Sequence, residues 1–124
     1  METIVDKYYI GYEGEPEIQI IRRTVQGDVC VLRIWSGFFD EIMNAVEPEE
    51  KDWSSLAYYY NLYSGWYEES PWLLQDINAA VEQLKSIKED KLSVNRGSMN
   101  VLIEIIKVFE YAVIAGDSIL IAYE

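Results

Sequence analysis

Hydrophobic positions along this chain recur first every second residue, then at helical spacing, and finally every second residue again. Lys7 to Tyr12 reads as a first strand, closed by turn signals at Gly14 and Pro16. Glu17 to Val25 reads as a second, with Ile18 and Ile20 on one face and Gln19 on the other. Gln26-Gly27-Asp28 is a short turn, in which Gly27 can take positive φ without steric cost. Val29 to Trp35 is a third strand, with Cys30, Leu32 and Ile34 on one face and Arg33 leaving by the other. Strands two and three thus predict a hairpin.

The helical spacing begins after Ser36, a good cap, with Phe38, Phe39, Ile42, Met43 and Val46, and Pro48 stops it. A second helix, capped by Asp52 or Ser54, carries Leu56, Tyr60 and Tyr63 and ends near Gly65. Ser70 as cap and Pro71 at the first position predict a third helix from Pro71 to about Lys88. Its stripe is Leu73, Ile77, Ala80, Val81, Leu84 and Ile87. A fourth helix is expected over Ser98–Ala115, with Met99, Leu102, Ile103, Ile106, Phe109 and Val113 inward and Gly116 just past its end. The β-branched content of 98–115 also admits a long hairpin. Ser118 to Tyr123 closes the pattern as a last strand, with Ile119 and Ile121 on one face. The expectation is one α+β domain over 1–124. It has two layers: a mainly antiparallel sheet of about four strands, three N-terminal and one C-terminal, packed by three or four helices.

Charge changes this picture from a plain scaffold to a binding one. The 124 residues carry a formal net charge of −12. Between Phe38 and Asp76 stand nine acids and one base, Lys51, so about two thirds of that charge sits in about a third of the chain. Such a chain repels nucleic acid and anionic membranes and attracts basic partners. The plainest use of the same charge is solubility. Cys30 is the single cysteine, which excludes an intrachain disulfide and suits a reducing compartment. Its apolar strand setting predicts a buried, inert thiol. Met1 to Lys7 lacks the basic and apolar regions of a secretory leader, and no apolar run approaches the ~20 residues of a membrane span. A soluble cytoplasmic protein is expected.

Candidate chemistry is thin. The chain has no histidine, which removes Ser-His-Asp and Cys-His catalysis and most zinc sites. No phosphate-binding glycine motif is present. Twenty-two acids make a glycosidase-like carboxylate pair trivial to find and therefore uninformative. Glu47, Glu49, Glu50 and Asp52 lack the order of a calcium loop and read as a solvated acidic turn. No enzymatic activity, cofactor or metal is expected.

The stretch from Trp53 to Trp72 stands out, since eight of its twenty positions are Trp or Tyr. Some of these rings belong in a core. Yet Tyr58, Tyr59 and Tyr60 are consecutive, so on a helix they point about 100° apart and cannot all face inward. Rings with polar tips suit surfaces that are wet when free and covered when bound. The expected contact residues are Glu47, Glu49, Glu50, Asp52, Tyr58, Tyr59, Trp66, Tyr67, Glu68, Glu69 and Trp72.

The acidic Glu47–Asp52 loop, the Tyr58–Tyr67 aromatic run and Trp66-Tyr67-Glu68-Glu69-Ser70-Pro71-Trp72 together resemble the immunity proteins of bacterial polymorphic toxins, including contact-dependent growth-inhibition systems. The resemblance is one of style across the whole chain and carries no diagnostic motif. It implies tight binding to a cognate toxin domain, commonly a basic nuclease, by covering its active site or substrate groove. Two other readings stay open. One is a small-molecule sensor or carrier with an aromatic pocket. The other is an acidic mimic of nucleic acid, which requires acids spaced like phosphates along a surface.

Overall fold

The segments with period-two patterning pair into one open sheet, and the amphipathic helices cover one of its faces. A computed structural model describes residues 2–45, 72–74, 76–87 and 96–123. Its elements are β1 (Glu2–Tyr8), β2 (Glu17–Arg23), β3 (Val29–Trp35), α1 (Ser36–Ala45), β4 (Trp72–Leu73), α2 (Ile77–Lys85), α3 (Arg96–Ala115) and β5 (Ser118–Tyr123). The sheet order is β1-β3-β2-β5-β4. The β2–β3, β2–β5 and β4–β5 pairs are antiparallel, and β1 runs parallel to β3. The α+β class holds, the β2–β3 hairpin is present, and 96–115 is a helix rather than a hairpin.

The register explains the core. Ile18 lies opposite Ile34, and Ile20 lies between Leu32 and Ile121. These side chains, with Ile119, form one apolar face, and all but Leu32 are fully sealed. Phe38, Phe39, Ile42 and Met43 of α1 pack on that face, together with Ala80, Val81 and Leu84 of α2. From α3 come the adjacent Val101 and Leu102, then Ile105, Phe109 and Ala112 at intervals of three or four, so that a single stripe points inward.

Four expectations need correction. The first strand is Glu2–Tyr8 rather than Lys7–Tyr12. Residues 9–12 instead close turns, with Tyr9 and Ile10 N–H both donating to Asp6 C=O at 2.8 and 3.0 Å. Because β1 and β2 flank β3, the chain between them must pass the end of β3. As it does so, Tyr12 stacks on Trp35 with ring centroids 4.2 Å apart. The second strand stops at Arg23 rather than Val25.

The third helix does not start at Pro71. Trp72 and Leu73 pair with Ile121 and Leu120, and Leu74 N–H donates to Ile119 C=O at 2.9 Å. The open edge of β5 therefore takes these residues as a strand, and Leu73 is exposed. The helix waits for Asp76, whose carboxylate accepts the Ala79 N–H at 2.9 Å. Finally, the inward face of α3 is rotated from the expected one. Ile103 and Val113 are exposed, while Val101, Ile105 and Ala112 are buried. The expected helix near 54–63 lies outside the described residues.

Candidate functional site

Of the eleven contact residues expected from sequence, Glu47, Glu49, Glu50, Asp52, Tyr58, Tyr59, Trp66, Tyr67, Glu68 and Glu69 lie outside the described residues. Trp72 is placed at the sheet edge in β4, its backbone paired with Ile121. What the described residues assemble is a second site, on the helix side of the sheet between its β1–β3–β2 part and α3.

It is built from the end of α3. Gly116 adopts φ 76°, a left-handed conformation that a residue with a Cβ resists, and this ends the helix. The turn lets Asp117 N–H donate to Ala112 C=O at 2.9 Å, the 6→1 bond of a Schellman ending. Asp117 is thereby fixed at the start of β5 with its side chain only 3% exposed. Opposite it stands Arg22, which the register places between Cys30 and Ile119. Arg22 Nη1 donates to Asp117 Oδ2 at 2.6 Å, and Nη2 donates to Cys30 Sγ at 3.2 Å. The ring centroid of Tyr111, from the last turns of α3, lies 4.5 Å from the guanidinium carbon. Burial opposes the Arg22 charge. The Asp117 hydrogen bond and the fields of Cys30, Asp117 and Tyr111 more than offset it, so its pKa rises above the ordinary value.

The thiol expected to be buried is therefore half-buried and engaged by a guanidinium. Cys30 also lines a cavity of about 270 Å³ between the β1–β3–β2 part of the sheet and α3. Val5, Ile20, Leu32 and Val108 make much of its wall aliphatic, and Arg22, paired to Asp117, lines it too. Glu104 supplies a carboxylate to the same wall, and that group has no hydrogen-bond or ion-pair partner among the described residues. Thr3 and Val5 of β1 line one side of it, and on that strand Glu2, Thr3, Ile4 and Val5 are all exposed, Ile4 at 53% and Val5 at 37%. Among the described residues β1 pairs only with β3, and none of them pairs with its outer backbone edge.

A second polar centre braces the opposite face of the sheet. Arg33 grips Glu17 with two bonds, Nε to Oε2 at 2.6 Å and Nη2 to Oε1 at 2.8 Å. Tyr9 lies beneath the Arg33 guanidinium at 4.8 Å. The Arg33 hydrogen bond lowers the Glu17 pKa from its usual 4.5. This pair ties β2 to β3 where Ser36 N–H also donates to Pro16 C=O at 3.1 Å.

Sequence reasoning missed Arg22, Asp117, Tyr111 and Glu104 as a group. A weak signal was present: Glu104 is an acid within a strongly apolar helical run, and Arg22 breaks the apolar alternation of β2. No group of three or more Cys, Asp or Glu placed to hold a metal ion occurs among the described residues. No protein family, curated protein or solved structure matches this chain.

Proposed function

We propose that the chain is a non-enzymatic binding protein for a basic protein partner, acting as immunity proteins do when they neutralise a cognate toxin domain. The observation that carries this reading is the coincidence of charge and aromatic content. The region from Phe38 to Asp76 holds about two thirds of the −12 net charge and also the eight Trp and Tyr between Trp53 and Trp72. Carboxylates steer a basic partner and raise its association rate, while Trp and Tyr anchors slow its release. The β1 edge and Glu104, both without a partner among the described residues, add a second acidic, partly apolar surface compatible with the same kind of partner.

A cytoplasmic location belongs to the same proposal; no helix of the described residues is long and apolar enough to cross a membrane. The carrier reading gains little from the cavity beside β1, whose wall is aliphatic rather than aromatic. The mimic reading is disfavoured by acids gathered in one third of the sequence rather than spread along it.

The experiment is recovery of the partner from the native cell, followed by association kinetics at several salt concentrations. A partner of basic character whose on-rate drops steeply with salt supports the proposal. A salt-insensitive on-rate, or a partner of acidic character, sinks it.

A further inference from the structure

We infer that the cavity beside β1 is a receptor for one lysine or arginine side chain, delivered by an extended segment of the partner lying along β1. The inference rests on the proposed function and adds the place and chemistry of one contact. Four observations carry it.

The first is size. At about 270 Å³ the cavity falls just below the roughly 300–1,000 Å³ of pockets that enclose a drug-sized ligand. It suits a single long side chain rather than a whole cofactor. The second is the wall. Val5 and Val108 offer aliphatic surface, backed by the buried Leu32 and Ile20, which matches the methylene stem of lysine or arginine.

The third is the sign of the charge left available. Arg22 lines the same cavity, but its charge is already matched by Asp117 at 2.6 Å, with Nη2 turned to Cys30 and Tyr111 over its face. Glu104 is on the wall and has no partner among the described residues, so the group that can still be satisfied is a carboxylate. A cationic head meeting it makes a charge-assisted hydrogen bond in a partly desolvated place. The fourth is access. Thr3 and Val5 line the cavity, and they sit on the strand whose outer edge no described residue pairs with. A segment laid along that edge sends every second side chain to the Thr3 and Val5 side, within reach of the cavity.

The test uses the whole protein and small probes of matched shape. Butylguanidinium and butylammonium reproduce the two side chains; 1-butanol and butyrate are the neutral and anionic comparators. Binding is read from methyl NMR shifts of Val5, Leu32 and Val108. Saturable shifts are expected with the two cations, roughly tenfold tighter than with 1-butanol. Glu104→Gln should erase that preference while leaving the melting temperature unchanged, because Glu104 makes no described bond that the amide would lose. The pocket is refuted if 1-butanol or butyrate binds as well as the cations. It is equally refuted if no probe saturates, or if Glu104→Gln keeps the full preference. These probes read the cavity alone, whereas the salt dependence of partner association reads the proposed function alone, so each can fail without the other.

Discussion

At the scale of single residues, two contacts limit what the chain tolerates. Gly37 follows Trp35 so closely that a Cβ there would overlap the six-membered ring of Trp35. That ring cannot swing aside freely. It is stacked on Tyr12 and packed edge-on against Phe38 at 5.1 Å. Gly37→Ala is therefore expected to cost about 1–3 kcal/mol as an overpacking substitution, read as a lower urea midpoint. Glu17 sets a pH limit. Its folded pKa is depressed by Arg33, so protons bind the unfolded chain more readily. The stability it supplies is complete above the ordinary carboxylate value of 4.5 and drains away as pH falls below it. Replacing Glu17 by Gln should flatten that acid limb of a stability-versus-pH profile, at a cost near neutrality of about 2 kcal/mol.

At the scale of elements, the start of α2 turns on one carboxylate. Asp76→Ala should lower stability by about 1 kcal/mol, visible in chemical denaturation, since Ala79 N–H loses its acceptor. The same helix shows where sequence patterning reaches its limit. Ser70-Pro71 and Asp76 are both good helix starts, and nothing local ranks them. The choice is made by β5, whose edge pairs with Trp72 and Leu73 and so keeps them extended. The β2–β3 hairpin and β5 were legible because one of their faces is buried, which enforces alternation. β1 was not, because residues 2–5 are exposed on both faces and no alternation is imposed. In α3 the helix was legible and its orientation was not. Ile103, Val113 and Ile114 are apolar residues on the outer side, and they blur the stripe. The cavity beside β1 was illegible for a different reason: it joins residues near 3–5, 30–32 and 104–108, which only the folded topology brings together.

At the scale of the molecule, the field of a chain with net charge −12 acts beyond any single contact. Salt shortens the reach of that field to about 8 Å at physiological ionic strength. Association with a basic partner should therefore slow roughly tenfold or more between low and high salt in stopped-flow mixing, with dissociation changing far less. The whole-molecule layout carries one more consequence. β2 forms its hairpin with β3 across a short turn, yet on its other side it takes β5, and the Arg22–Asp117 bond that secures this joint spans 95 positions of sequence. Until that distant strand arrives, the second backbone edge of β2 has no partner. Closing so large a loop costs entropy, and a strand edge left without its partner is a template for pairing with another chain.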